Sequence, residues 1–522
     1  MLMNYQNGNQ AMKNILTILS SFCLLASSFA AESKPNIIIF LADDLGYAGV
    51  GVNGCKDIPT PHIDSIAKNG VRFTDGYANH CVCSPSRAGL MSGRYQHRFG
   101  FEANSGPERF AAENFGLPRT EPTLAERLKA AGYATGMVGK WHIGFKPGLR
   151  PHERGFDYHY GFLSGARTYL PGKADTDPLL RNGQPVTDEK EYLTDAFARE
   201  AVAFLDRSKD KPFFLYLAFN AVHGPLEATD AYTARFPNLT GTRRIHAGMV
   251  AAMDDAVGRV LGKVRALGQE ENTLVFFYSD NGGPTPQTTA SNEPLRGYKG
   301  QFYEGGIREP FLAQWKGKLQ AGAVYREMVM GFDCHATALA AAGVPLPTEK
   351  SLDGVNLLPF LTGKQAGRPH EQLFWRAGEK HATRVGDWKL VQERGGEPEL
   401  FNLMDDISEK TDLAAKEPAK LKEVQAAYTA WEKQMMPAQW RRQDGRTQGA
   451  GKAPAKGSAR GGGIEERFKQ YDKNRDGKLT PTEFPMSSFK QADKDGDGVL
   501  TFDEVKAYYG VRRQKTDQEE SK

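Results

Sequence analysis

The stretch CVCSPSRAGLMSGR (Cys81–Arg94) sets a cysteine directly before Ser-Pro-Ser-Arg at what reads as a helix start. Pro85 suits a first helical turn, where its missing N–H costs nothing, and Arg87 to Met91 continue that helix. Cys83 then sits at the helix N-terminus, where free backbone N–H groups favour an anion and depress a thiol pKa. A lone cysteine ahead of a helix is more often a buried structural residue, so the rest of the chain has to decide. Two oxygen-rich pairs, Asp43-Asp44 and Asp280-Asn281, supply the next clue. Adjacent carboxylates repel one another unless a cation neutralises them. An all-oxygen set without His or Cys selects Ca²⁺ or Mg²⁺ over zinc. Each pair taken alone is more often a cap or a turn than a ligand set. Arg87, Lys140, His142, His223 and Lys299 supply positive charge and proton-transfer capacity. Lys299 lies in LRGYKGQFYEGGIREP, whose glycines suggest a loop brought close to a ligand. A divalent cation, an arginine and two lysines at a helix N-terminus describe a site for a compact oxyanion. This chemistry points to hydrolysis of an oxyanion ester and does not separate sulfate from phosphate.

Positioning these groups falls to four short apolar, β-rich runs: NIIIFLA (Asn36–Ala42), ATGMVG (Ala134–Gly139), FFLYLAF (Phe213–Phe219) and TLVFFYS (Thr273–Ser279). Helical patterns lie between them, such as Leu193, Phe197, Val202 and Leu205, and Met253, Val257, Leu261 and Val264. Strands alternating with helices imply an α/β domain around a mostly parallel sheet. Asp43-Asp44 follow the first run, Lys140 and His142 the second, His223 the third and Asp280-Asn281 the fourth. In open α/β sheets the site lies beyond the carboxyl ends of the strands, so four strands deliver polar groups to one edge.

The 522 residues are 40% hydrophobic and 25% charged, an ordinary globular composition with enough chain for two to four domains. A formal net charge of +4 is too mild to argue for nucleic-acid binding. No apolar run long enough to span a membrane interrupts the body. At the N-terminus, Lys13 precedes ILTILSSFCLLASSFAA, which closes on Ser28, Ala30 and Ala31. That is the pattern of a secretory signal (residues 1–31) with Met12 as initiator, and it implies a secreted or periplasmic protein. Phe22 stands where a lipoprotein anchor at Cys23 needs a small residue. Once the signal leaves, Cys55, Cys81, Cys83 and Cys334 remain, too few for a disulfide framework. With Cys83 reserved for chemistry, at most one disulfide forms among the other three.

From about residue 371 to 440 the texture changes to short strands (EQLFWRAG, ATRVGDWKLVQ, EPELFNLMDD) and a helix around Leu421–Gln434, a smaller α+β subdomain. Residues 441–463 are basic and rich in Gly, Ala and Ser, the composition of a flexible linker. The tail, 464–510, repeats itself. DKNRDGKLTPTE and DKDGDGVLTFDE each fit the twelve-residue calcium loop of an EF-hand. Oxygen ligands fall at Asp472, Asn474, Asp476 and Glu483, and at Asp493, Asp495, Asp497 and Glu504. The carbonyls of Lys478 and Val499 add one ligand each, and Gly477 and Gly498 occupy the sharp turn. Only Phe484–Ala492 separates the loops, which favours a structural or adhesive calcium module over a sensor.

CSPSRAGLMSGR closely resembles the sulfatase signature, Cys-x-Pro-Ser-Arg followed by a small residue, Gly and Arg. LADDLG, GKWHIG, HGP, SDNGG and GYKGQFYEGGIREP are similar to the remaining blocks of type I, arylsulfatase-like sulfatases, in the family's order. The resemblance runs from about Lys34 to Gln434. Ser92 stands where Thr is commoner, and Cys81 beside the nucleophile has no explanation in the sequence. The resemblance implies an alkaline-phosphatase-like catalytic domain over residues 34–370 and a sulfuric ester hydrolase. It implies that a maturation enzyme oxidises Cys83 to formylglycine, an aldehyde whose hydrate is the nucleophile. One hydroxyl of the hydrate attacks sulfur and the other later expels sulfate, which a plain serine could not do. By the same carry-over, Asp43, Asp44, Asp280 and Asn281, with residue 83, hold one Ca²⁺, while two more occupy the EF-hands. Arg87 and Lys140 orient the hydrate, and Asp280 helps deprotonate it. His142 assists release of sulfate, and His223 and Lys299 bind sulfate and protonate the leaving oxygen. Ser164, in GFLSG, matches a further sulfate-contacting serine only loosely. The implied substrate is a sulfated polysaccharide or glycosaminoglycan. RYQHRFGFE places His97 or Arg98 either near the sugar or on the surface. The alternatives are a phosphate or phosphonate ester hydrolase of the same superfamily, and a non-catalytic calcium-dependent glycan-binding protein.

Overall fold

The structure, a computed structural model, describes residues 34–106, 112–173 and 177–440, together with Phe468, Asp472, Asn474, 476–480 and 492–507 of the tail. The signal segment, the 441–463 linker and Glu483 lie outside the described residues. By its internal contacts the chain forms two units, Met1–Asp444 and Gly445–Lys522.

The first unit is built around a ten-stranded sheet. In chain order the strands begin with β1 (Asn36–Ala42), β2 (Val71–Phe73) and, in a separate two-stranded sheet, β3 (Gly76–Tyr77). β4 (Ala134–Lys140), β5 (Tyr158–Phe162), β6 (Leu180–Arg181) and β7 (Gln184–Pro185) follow. β8 (Phe213–Ala218), β9 (Thr273–Ser279), β10 (Phe311–Gln314) and β11 (Ala323–Tyr325) complete the large sheet, and β12 (Val329–Met330) pairs with β3. The spatial order is β11-β2-β10-β9-β1-β8-β4-β5-β6-β7. β9, β1, β8, β4 and β5 form a continuous parallel centre. β10 runs antiparallel against β9 and β2. Every residue of β1, β8 and β9 is buried, as expected for parallel strands covered on both faces.

The strand period of two divides the core. Ile38 and Phe40 face a layer containing helices α1 (Pro61–Lys68), α4 (Leu193–Ser208) and α5 (Gly241–Ala266). Ile37, Ile39 and Leu41 face the opposite layer, with α2 (Cys83–Ser92), α3 (Leu124–Ala130) and α6 (Asp333–Ala341). The register aligns Ala42 with Ser279, and Leu41 and Gly139 with Ala218, so the carboxyl ends of β1, β4, β8 and β9 reach one edge together.

The second sheet, β13 (Gln372–Ala377), β14 (Lys380–Val385), β15 (Trp388–Gln392) and β16 (Glu399–Asn402), is an antiparallel meander packed with α7 (Pro418–Glu432). The run ATRVGDWKLVQ, read above as one strand, is two, because Gly386 takes a positive φ of 55° and turns the chain. This sheet shares a core with Tyr77, Cys81, Tyr95 and Phe302 of the catalytic region. It is also fastened by charge. Lys389 donates to Glu304 (2.7 Å) and Glu409 (2.9 Å), with all three side chains wholly buried.

In the second unit, β17 (Lys478–Leu479) pairs antiparallel with β18 (Leu500–Thr501), over a small core of Phe468, Leu479, Ala492, Leu500 and Val505. No helix of the described residues is long and apolar enough to cross a membrane.

Candidate active site

Cys83 opens α2 as the sequence suggests, with Val82 as an extended N-cap. Its thiol, however, is pushed above the ordinary range, first by burial and then by the Asp43 carboxylate, despite Lys140 and Lys299 nearby. The expectation of a depressed thiol pKa is therefore corrected: in a desolvated pocket beside a carboxylate, burial outweighs the helix terminus. As a cysteine, residue 83 is a poor nucleophile. Cys55, Cys81, Cys83 and Cys334 are all free thiols.

β1 ends in Asp43 and Asp44, and β9 in Asp280 and Asn281. Asp44 adopts φ 63° and His142 φ 61°, left-handed conformations that are uncommon outside glycine and cluster at functional sites. Lys140 Nζ lies 2.5 Å from Asp43 Oδ2, and Arg87 Nε donates to Asp280 Oδ2 at 2.8 Å. Lys299 Nζ bridges Asp44, at 2.7 Å, and Cys83 Sγ, at 3.4 Å. Cys83 Sγ also approaches Asp43 Oδ1 at 3.4 Å. His223 Nε2 lies 3.7 Å from Asp44 Oδ2. The structure thus brings Asp43, Asp44, Cys83, Arg87, Lys140, His223, Asp280, Asn281 and Lys299 into one connected cluster.

His142 stands at its inner wall. Its Nε2 hydrogen-bonds the Ser105 carbonyl (3.0 Å), so Nε2 carries the proton and the buried Nδ1, which has no partner, is left with its lone pair. Burial, then Lys140 and Arg87, hold its pKa well below the usual value, so the ring is neutral. His223 Nδ1 lies 2.6 Å from the Gly224 carbonyl, which directs Nε2 toward the cluster. Burial is also the main cause of its lowered pKa, opposed by Asp44 and Asp43. Most of these side chains are wholly shielded from water. His223 and Lys299 retain 23% and 17% exposure and form the mouth.

The oxygen set fits a divalent cation. Burial tends to raise the Asp43 pKa, but Lys140, His223, Arg87 and Lys299 together hold that carboxyl below the usual range. Asp280 is pushed up to about 7, by burial first and then by Asp43. Carboxylates this close and this dry resist ionising together unless a cation joins them. Asp43, Asp44, Cys83 and Asp280 offer ligand atoms within 4.8 Å of one another. Asn281 donates its amide to Asp44 (2.7 Å), while its buried Oδ1 has no protein partner and stays free as a ligand.

The glycines of the Lys299 block make the close approach that their number suggests. Gly282, next to Asn281, donates to the Gly306 carbonyl at 3.1 Å, and a Cβ on Gly282 would lie 2.0 Å from the Gly305 oxygen. Gly300 donates to the Cys81 carbonyl (2.9 Å) and accepts from Lys380 Nζ (2.5 Å). Cys81 thereby gains a role. Its backbone anchors the Lys299 loop, and its buried thiol, raised to about 12 by desolvation, fills the shared core.

Three further groups from the sequence reading are engaged within the protein. His97 is buried, bonded through Nε2 to the Arg376 carbonyl (2.9 Å) and packed edge-on against Trp431. Arg98 is held by both oxygens of Asp353, at 2.7 and 2.6 Å. Neither is free for a sugar. Ser164 Oγ donates to the Ala166 carbonyl (2.8 Å), within its own loop. Sequence reasoning also missed Glu309, in the same GIREP block as Lys299. It is fully buried, with both carboxylate oxygens unpaired, and its pKa is raised by burial and then by Asp280 and Asp44.

In the tail, the described residues of both loops fold around their own carboxylates. Asp472 accepts from the amides of Asp476 (3.1 Å) and Gly477 (2.9 Å). Asp493 accepts from Gly496 (2.8 Å) and Gly498 (3.1 Å), and Asp497 from Val499 (3.0 Å). Asp493, Asp495 and Glu504 converge within 4.8 Å.

Comparison with known proteins agrees with this geometry. The sulfatase family matches residues 35–344, the C-terminal domain of N-sulphoglucosamine sulphohydrolase matches 298–435, and the EF hand matches 464–484 and 486–507. N-acetylgalactosamine-6-sulfatase of Homo sapiens is 35% identical over 380 residues, covering 69% of this chain and 72% of its own. Arylsulfatase A of Homo sapiens is 36% identical over 379 residues, covering 67% and 72%. The crystal structure of Ps i-CgsB in complex with k-i-k-neocarrahexaose superposes with a TM-score of 0.75 at 39% identity, over 79% of this chain and 96% of that one. The chain belongs to the sulfatase family, the sulfuric ester hydrolases with an alkaline-phosphatase-like fold, and carries a C-terminal EF-hand region.

Proposed function

We propose that this protein is an exported sulfatase that hydrolyses sulfate esters of a sulfated polysaccharide or glycosaminoglycan, using formylglycine made from Cys83 by a maturation enzyme and one bound Ca²⁺. The observation that carries this reading is the convergence of Asp43 and Lys299, each 3.4 Å from Cys83 Sγ, on a helix N-terminus beside a buried oxygen set. Relatives that include an N-acetylgalactosamine-6-sulfatase, and a 39%-identical structure holding k-i-k-neocarrahexaose, support a glycan substrate. The segment from Lys13 to Ala31 supports export.

Asp43, Asp44, Asp280 and the free Oδ1 of Asn281, with residue 83, would hold the calcium. When bound, the ion supplies positive charge beside a sulfate oxygen, and the formylglycine hydrate supplies one hydroxyl for attack and a second for release. Lys140 and Arg87, locked on Asp43 and Asp280, fix the carboxylates around residue 83. The free lone pair on His142 Nδ1 is the proton acceptor that release of sulfate requires. His223 and Lys299 stand at the mouth, where a sugar must remain while its sulfate is inside. They therefore serve the leaving oxygen, where negative charge develops in the transition state. The phosphatase alternative is disfavoured by the single oxygen-ligand set found on this edge among the described residues. The non-catalytic alternative is disfavoured by the intact proton-transfer groups.

The test is turnover of nitrophenyl sulfate against nitrophenyl phosphate, with mass analysis of the peptide containing residue 83. Preference for sulfate, an aldehyde in place of the thiol, and loss of turnover in Cys83→Ala are the expected results. Full activity of Cys83→Ala would exclude the formylglycine route, and preference for phosphate would favour the alternative.

A further inference from the structure

Resting on the sulfatase reading, we propose that Arg167 and the cavity beside it form a subsite for a second anionic substituent of the glycan, a sulfate or carboxylate other than the one being hydrolysed. Arg167 lies on a strap, residues 164–169, that joins the two catalytic histidines. At one end Gly165 packs directly on His142, and a Cβ there would lie 2.7 Å from its Cε1. At the other end the Tyr169 hydroxyl donates to the carbonyls of Asn220 (2.5 Å) and His223 (2.8 Å). Glu227 fixes the strap between them, accepting from Thr168 Oγ1 (2.6 Å) and Tyr169 N (2.8 Å).

On this rigid support Arg167 is half-buried, and its Nη1 is wholly buried without a hydrogen-bond partner. No ion pair among the described residues holds its guanidinium. The other cations of the site are engaged: Arg87 with Asp280, Lys140 with Asp43 and Lys299 with Asp44. A buried donor without a partner is costly to maintain, so an unpaired guanidinium beside a reaction centre marks a place for a ligand. Arg167 lines a cavity of about 270 Å³, near the lower bound of small-ligand pockets and of monosaccharide scale. The other charged side chains on its wall are already paired, Glu189 and Glu191 with the shared Arg199 (2.7 and 2.9 Å) and Lys173 with Glu227 (2.5 Å). Among the described residues that line the cavity, Arg167 is the charged side chain without an ionic partner. A guanidinium fork matches the paired oxygens of a sulfate or carboxylate.

The experiment compares kcat/KM for a disaccharide sulfated on both sugars, its singly sulfated counterpart, and one in which a uronate carboxylate replaces the second sulfate. Wild type should prefer the doubly charged substrates. Arg167→Gln should reduce that preference by about tenfold to a hundredfold, the scale of a lost charge-assisted contact, mainly through KM. Arg167→Lys should retain part of it, and the two doubly charged substrates distinguish sulfate from carboxylate. An unchanged preference in Arg167→Gln, or an equal loss on all substrates, would overturn the subsite. If wild type turns over no sulfate ester, the sulfatase reading fails separately. Calorimetric binding of the doubly sulfated disaccharide then decides the subsite: binding at least tenfold weaker in Arg167→Gln supports it, and equal binding overturns it.

Discussion

The molecule holds calcium-type oxygen sets in two opposite ways. In the catalytic unit Asp43, Asp44 and Asp280 are buried, and Lys140, Lys299 and Arg87 counter their charge. In the tail the loop acids Asp493, Asp495 and Asp497 are countered by backbone N–H groups of their own loop. The first arrangement is paid for by the whole fold, since its partners come from strands and loops up to 255 residues apart. The second needs only twelve consecutive residues. A site that must place several charges around a reacting atom draws on long-range packing, whereas one that only binds an ion can be local and portable.

The largest expected effect comes from removing one member of the buried set. Asp280→Ala removes the 2.8 Å partner of the buried Arg87 and leaves it only Asp43, at 3.7 Å. It should abolish turnover of nitrophenyl sulfate and lower stability by about 3–5 kcal/mol, read by thermal melting. Asp495→Ala in the tail should leave both readings unchanged. If the two substitutions behave alike, the contrast is false.

Next come the two residues at the mouth. His223→Ala and Lys299→Ala should each slow a sulfated saccharide by about 10²–10³. The loss on nitrophenyl sulfate should be smaller, since that leaving group needs little protonation. Equal losses would reduce both residues to sulfate binding alone.

Acid sharpens the comparison through stability. Burial holds His80, His97, His159, His246 and His335 neutral in the catalytic unit, with pKa values of about 3 against an ordinary 6.5. Between those values the unfolded chain binds more protons than the folded one, so stability falls as pH drops from about 6.5 toward 3. Calorimetry from pH 7 to 4 should show the melting temperature of this unit falling, with proton uptake on unfolding near pH 5. A flat profile would mean that these rings are not held neutral.

The smallest effect is expected from deleting Gly461–Lys522, which should leave hydrolysis of nitrophenyl sulfate essentially unchanged. Loss as complete as in Asp280→Ala would show that the tail is part of the catalytic machinery.

Much of the catalytic sheet was legible because buried parallel strands are uniformly apolar. Asn36–Ala42 and Thr273–Ser279 are strands over the residues that the pattern marks. The strands β10, β2 and β11 beyond β9 were not legible, being three or four residues long and too short for any periodicity to show. His97 illustrates the other kind of miss. Its neighbours Arg94 and Arg98 read as a polar surface segment, yet Arg376 and Trp431, more than 270 residues later, enclose it.

By itself the sequence determined which groups exist for chemistry and which strand end carries each, because short motifs and strand patterns are local properties of the chain. It also determined the tail, where the ligands of each loop follow one another along twelve residues. Only the tertiary structure decided which lysine neutralises which aspartate, that residue 83 is desolvated, and that Cys81 anchors the Lys299 loop. It alone placed Arg167 on a strap between His142 and His223. The physical reason is that burial and charge pairing are set by contacts between distant segments, and no local pattern in the chain records which segments will meet.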